Sequence, residues 1–168
     1  MDHLTVAAAW WFLPFTAPIC IWVAWNDMKF MKIPNKAVVA LFVVFAVVGL
    51  FALPLAEYPW RFSHFAIVLA IGFIANMAGV MGAGDAKFAA AAAPFVATGD
   101  LPLLLPLFAA VLLGAFATHR LFRMIPAMRA RTQDWESWTR GDFPMGLALG
   151  GTMIFYLLLG ISGVPAAL

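Results

Sequence analysis

The sequence predicts an all-α, polytopic membrane protein of about six transmembrane helices, with both termini on the outer side. Three observations lead there. Apolar residues make up 65% of the 168 positions and charged residues 11%, against about half and about a quarter in soluble domains. That much apolar surface leaves no polar shell to face water. Apolar runs close to the ~20 residues needed to cross hydrocarbon recur along the chain. Finally, the ten Lys and Arg residues are distributed so that one threading puts all but Arg61 on the same side.

Residues 5–25 form the first run. They follow MDHL without the basic n-region or small-residue cleavage site of a secretory signal, so this run is expected to be retained as a signal-anchor. Residues 37–53, 62–81, 101–120 and 143–164 supply four more spans. Residues 86–98 are shorter, alanine-rich and interrupted by Pro94. Alone they fit a short tilted span, a half-span or a re-entrant helix. Orientation decides between these. Segment 26–36 carries Lys29, Lys32 and Lys36, segment 79–87 carries Lys87, and segment 120–142 carries Arg120, Arg123, Arg129, Arg131 and Arg140. The excess of positive charge on cytoplasmic connections puts all three inside, which requires 86–98 to cross. The chain reads as one integral-membrane domain, residues 1–168, without repeats; segment 120–142 is too short to fold alone.

Several function classes drop out. A net charge of +2, without basic residues interleaved by aromatics, argues against nucleic acid. Cys20 is the single cysteine and cannot form an internal disulfide. His3, His64 and His119 lack the i, i+4 spacing of a helical metal site and read as structural or interfacial, so no metal or cofactor is expected. Trp10, Trp11, Trp22, Trp25 and Trp60 lie toward span ends as an aromatic belt. Asn76, inside the third span, is expected to bond across helices. The arginines of 120–142 set orientation and meet lipid head groups.

Asp27 and Asp85 stand apart from the other acids. Each sits at the edge of a span, on the side assigned to the cytoplasm: Asp27 just after the first helix in NDMKFMKIPN, Asp85 opening the fourth in GVMGAGDAKFAAA. Read singly, Asp85 is an ordinary helix N-cap and Asp27 an interfacial charge. Two carboxylates brought together share a proton, one acting as base on a water and the other as acid toward an amide carbonyl and its leaving nitrogen. The neighbours suit such a site. Gly82 and Gly84 accept positive φ and close backbone approach, Pro34 holds Ile33 extended, and Asn35 is placed to cap the second helix. Lys87 is expected to turn back toward Asp85. Asp85, at a helix N-terminus, is expected to serve as base, and Asp27, beyond a C-terminus, to carry the proton.

Asp27 with Lys32-Ile33-Pro34-Asn35, followed by Gly82-Ala83-Gly84-Asp85-Ala86-Lys87, resembles the type IV prepilin peptidase family and its GxGD signature. A third stretch, Phe143 to Gly151, is similar to the family's Pro-x-Gly-x-Ala opening of the last span. The resemblance implies Asp27 and Asp85 as catalytic pair, with Gly82, Gly84 and Lys87 shaping the second site. It implies a prepilin or pseudopilin as partner, whose basic leader stays in the cytoplasm while an apolar helix follows it in the bilayer. Larger bifunctional relatives carry paired Cys-x-x-Cys motifs and methylate the new N-terminus. This chain lacks those cysteines and resembles the short, peptidase-only form serving Flp or Tad pili. The implied setting is the bacterial inner membrane, in contact with lipid, with the active site at the cytoplasmic face. Archaeal preflagellin peptidases are similar in plan. Presenilin-like proteases share GxGD but need more spans and a Pro-Ala-Leu motif. A small ion-coupled transporter or pilus-assembly subunit would instead use the two acids as cation ligands.

Overall fold

The structure, a computed structural model, describes residues 3–164. Those residues form helices and connections with no strand among them. Four helices are long and apolar enough to cross a membrane: α1 (Val6–Phe30), α2 (Asn35–Ala52), α3 (Tyr58–Met77) and α5 (Leu101–Met124). Between α3 and α5 lies the ten-residue α4 (Ala83–Ala92). After α5 come the short α6 (Pro126–Arg131) and α7 (Met145–Ile161), an apolar helix of 17 residues.

The start of α1 is set by Thr5, whose hydroxyl accepts the Ala8 N–H at 3.1 Å. Its end comes later than hydropathy suggests. The helix continues through Asn26, Asp27 and Lys29 and stops at Met31, which is left-handed (φ 51°) with its N–H on the Asp27 carbonyl. Asp27 therefore lies in the last turn of α1, not beyond it. At the start of α2 the N-cap is Pro34 and no side chain caps the helix, so Asn35 is its first residue instead of its cap. Arg61, expected in a connection, is buried in the first turn of α3, with Nη2 3.4 Å from Glu57 Oε2. Asn76 donates to the Met81 carbonyl at 2.8 Å, closing its own helix end; it does not reach across to another helix.

How a segment as short as 86–98 connects the two ends of the bundle follows from its backbone. After α4, Pro94 lacks the N–H that would continue the helix, and the chain passes into 3₁₀ turns at Ala93–Phe95 and Thr98–Asp100, joined by extended Val96 and Ala97. Helix rises about 1.5 Å per residue, 3₁₀ turns about 2 Å and extended chain about 3.3 Å. Summed over 86–98 these rises give a contour of about 25 Å, against about 20 Å for an unbroken helix of the same residues.

Its far end is anchored. Asp100 is 2% exposed, and its Oδ2 accepts the Tyr156 hydroxyl at 2.6 Å and the Leu4 N–H at 2.9 Å, while Oδ1 lies 2.6 Å from His3 Nδ1. The Ala97 N–H donates to Tyr156 Oη at 3.1 Å. Both described ends of the chain, near His3 and after Ile161, therefore sit at the end opposite Asp27 and Asp85.

Lipid tails are as apolar as leucine, so helices in a bilayer associate mainly through close packing, and small residues permit it. The most extensive interface joins α1 and α7. There a Cβ on Gly150 would stand 2.8 Å from the Cys20 carbonyl oxygen. Between α3 and α4, a Cβ on Gly72 would stand 2.8 Å from Ala86 Cβ. At the centre Phe12, Phe45, Phe62 and Phe95 tie α1, α2 and α3 to the Ala93–Phe95 turn, with Phe12 and Phe95 edge-to-face at 4.8 Å.

Candidate active site

One end of the bundle opens into a cleft of about 1080 Å³ lined by the ends of α1, α4 and α7 and by the connections beside them. Asp27 and Asp85 both line it, as do Ile33, Pro34, Asn35, Gly82, Gly84 and Lys87. Two stretches some fifty residues apart in sequence are thus brought to one wall. The two carboxylates lie within electrostatic reach of each other.

Asp27 is 6% exposed and is held from an unexpected direction. Gly146, in the first turn of α7, donates its backbone N–H to Asp27 Oδ2 at 2.7 Å. The first-turn amides of a helix have no partner within the helix, so Asp27 satisfies one of them from another helix. Of the two Asp27 oxygens, Oδ2 is thereby occupied as an acceptor and Oδ1 is the one left for a proton. Asp27 also feels two opposed helix ends, the C-terminus of α1 and the N-terminus of α7.

Glycine at 146 is required by space. A Cβ there would stand 2.9 Å from Asp27 Cβ and 3.0 Å from Oδ2. Space, not backbone freedom, also explains the two glycines before Asp85. Gly82 has φ −65°, Gly84 is helical, and among the described glycines only Gly79 and Gly163 have positive φ. Gly82 is the N-cap of α4, and Asp85 folds back over it: a Cβ at 82 would stand 2.6 Å from Asp85 Oδ2. Asp85 is accordingly not the cap residue but lies in the first turn, the position from which an acid reaches back toward the cap. At Gly84 a Cβ would stand 3.3 Å from Ile33 Cβ, so this glycine lets the start of α4 abut the α1–α2 connection.

Lys87 does not turn to Asp85. Its Nζ donates to Asn35 Oδ1 at 3.3 Å, and among the described residues no Lys87–Asp85 ion pair forms. With Ile33 on Gly84, it fastens the α1–α2 connection to the start of α4. Asn26 ties the same connection back to α1 by donating to the Lys32 carbonyl at 2.6 Å.

The 125–144 connection closes the remaining side and contributes Glu136, Arg140 and Asp142 to the cleft. It is ordered by stacking: His119 lies against Trp138 at 4.9 Å, and Trp138 against Trp135 at 5.6 Å. Lys29 meets Asp134 at 2.7 Å, and that hydrogen bond holds the Asp134 carboxyl below the usual carboxylate range. Asp134 is largely exposed, so water and salt screen the pair and it adds little stability. Sequence reasoning did not single out Gly146 as a site residue; its place inside the Pro-x-Gly-x-Ala stretch was the available signal. Nothing in the sequence marked Trp135 and Trp138 as the stack under that loop.

No curated protein and no solved structure matches the chain. A family profile does: that of the type IV leader peptidase family matches residues 14–119, which include both acids and both motifs around them. The third stretch, with Gly146, lies beyond the matched segment and is tied to the site by its geometry. Carrying the family's profile over most of its length, the chain belongs to the type IV leader peptidase family.

Proposed function

We propose that this chain is a membrane-embedded aspartic endopeptidase that removes the basic leader from Flp-like prepilins at the cytoplasmic face of a bacterial inner membrane. The observation that carries the reading is the meeting of Asp27 and Asp85 in one cleft. In the proposed reaction one carboxylate takes a proton from water as the oxygen attacks the scissile carbonyl. The other, protonated, donates to the carbonyl oxygen; as the tetrahedral intermediate collapses it takes that proton back, while the first carboxyl gives the proton it took from water to the leaving nitrogen. The Gly146 amide keeps Asp27 oriented throughout.

Orientation rests on charge. Lys29, Lys32, Lys36, Lys87, Arg120, Arg123, Arg129, Arg131 and Arg140 belong to helix ends or connections at the cleft end, and Arg61 alone belongs to the other. Positive charge stays on the cytoplasmic side, so the cleft is assigned there and both chain ends to the outer side, with six crossings counting α4 and its 3₁₀ continuation. The single cysteine leaves no pair for the Cys-x-x-Cys segment of bifunctional relatives, which supports cleavage without methylation. The test is to incubate the purified chain, in proteoliposomes with and without a methyl donor, with a Flp-like precursor and to sequence the product. One new, unmethylated N-terminus between the basic leader and the apolar helix is expected. Failure to cut, or cutting within the apolar helix, would overturn the reading.

A further inference from the structure

Beside α4 a second cavity, about 460 Å³ and almost wholly apolar, runs along the flank of the bundle. Its existence follows from the shortness of α4. α3 packs along one side of α4, α5 leans on α7, and the face of α4 between them is left uncovered. Ala89 and Ala92 make the floor, with Ile67 of α3 and Leu104 of α5 as walls. Alanine on a floor is what close approach of another helix requires in lipid. The walls are only partly used by the bundle itself: Ile67 is 55% exposed, and Leu104 packs against the core without being fully buried.

This groove is continuous with the catalytic cleft. Met81, Phe108 and Leu149 line both. Polarity changes at that junction, from a cleft carrying Asp27, Asp85, Glu136 and Arg140 to a groove of alanine, leucine and isoleucine. The two together fit a chain that is polar on one side of the cleaved bond and an apolar helix on the other.

We propose that the groove between α3 and α5 is the docking site for the apolar helix of the precursor, which lies on the alanine floor of α4 and delivers the bond at its polar end to Asp27 and Asp85. The proposal rests on the leader-peptidase reading and adds to it where the substrate enters: sideways, from the bilayer. A helix seated there places anchors every three to four residues against Ala89, Ala92 and Leu104. Bulk on the floor therefore weakens capture of substrate more than it slows the chemistry.

The test uses the full chain in proteoliposomes and the Flp-like precursor that the wild-type chain cleaves. In an Asp85→Asn background, Leu104→Cys is paired with single cysteines scanned along the precursor's apolar helix, and disulfides are formed by mild oxidation. Cys20 is fully buried and takes no part. Cross-links recurring every three to four positions are expected, and none from Val47→Cys on the exposed face of α2. Equal cross-linking at Val47→Cys, cross-links only to a second copy of the chain, or reaction only with a thiol-reactive lipid probe would overturn the proposal. In active enzyme, Ala92→Phe is expected to raise KM by about tenfold or more with kcat within about twofold, while Val47→Phe changes neither. An unchanged KM in a folded Ala92→Phe chain overturns it, and the cross-linking result decides if that variant does not fold. An active Asp27→Asn enzyme would remove the dyad and leave the cross-links in place, so the two readings fail separately.

Discussion

Replacing Gly146 with alanine adds one methyl group at the back of Asp27. The new Cβ would start 2.9 Å from Asp27 Cβ, 3.2 Å from Cγ and 3.0 Å from Oδ2, whereas carbon atoms settle at about 3.5 to 4.0 Å. Asp27 and α7 must separate by roughly 0.5 to 1 Å to relieve this. The Gly146 N–H to Oδ2 bond, 2.7 Å in the structure, then stretches beyond the ~3.2 Å limit of an effective hydrogen bond. A hydrogen bond to a charged group contributes about 1.5 to 3 kcal/mol, which corresponds to roughly a 10- to 150-fold loss in rate where the orientation it enforces is needed in the transition state. Stability should change less than activity, since the preference for alanine over glycine within a helix, about 1 kcal/mol, offsets part of the cost of the added methyl group, about 1 to 3 kcal/mol. The assay is kcat on precursor in proteoliposomes beside the thermal midpoint of the same preparation. A fall in kcat of at least about tenfold with the midpoint preserved is expected. Gly150→Ala, whose Cβ meets the Cys20 backbone at 2.8 Å, should do the reverse and lose stability first. A folded Gly146→Ala enzyme with kcat within about twofold of wild type would refute the role given to the Gly146 amide.

Gly82→Ala should lower kcat by about tenfold or more, because its Cβ occupies the place of Asp85 Oδ2 at 2.6 Å. Gly84→Ala, 3.3 Å from a side-chain carbon of Ile33, should cost only a few-fold, and equal losses would show that Asp85 is not held over Gly82. Lys87→Met and Asn35→Ala should each reduce activity modestly and by no more when combined, since they remove one shared contact; additive losses would break that pairing. Cysteines introduced at Met31 and Thr132 should be labelled only from the cytoplasmic side and one at Glu57 only from outside, and labelling of the first two from opposite sides would overturn the proposed threading.

Much of the site was readable because its chemistry is local in sequence. Asp85 sits three residues from the glycine whose space it occupies, and Ile33 and Asn35 sit close to Asp27, so two short stretches carried the pair and its supports. The contacts that join those stretches were less readable. Lys87 lies two residues from Asp85 in sequence, but the helix turns it toward Asn35, because neighbours at i and i+2 do not share a helix face. Gly146 follows Asp27 by more than a hundred residues, and only the packing of α1 against α7 brings them together. Hydropathy located the apolar runs but ended the first at Trp25, since it responds to transfer into lipid and not to helix continuation. The α-helix in fact runs to Phe30. It also gave no means of seeing that Pro94 would switch the short segment into 3₁₀ and extended chain that reaches Asp100.

The central claim is that Asp27 and Asp85 act as one unit, and the kinetics of their removal test it most directly. Residues that share a single proton-transfer task are non-additive: once either is gone, loss of the other changes little. Purified Asp27→Asn, Asp85→Asn and the double variant, matched for membrane insertion and thermal midpoint, should cleave precursor at the same residual rate, below about a thousandth of wild type. Turnover above about a tenth of wild type in either single variant, or a double variant slower than both singles by the product of their effects, would contradict the dyad.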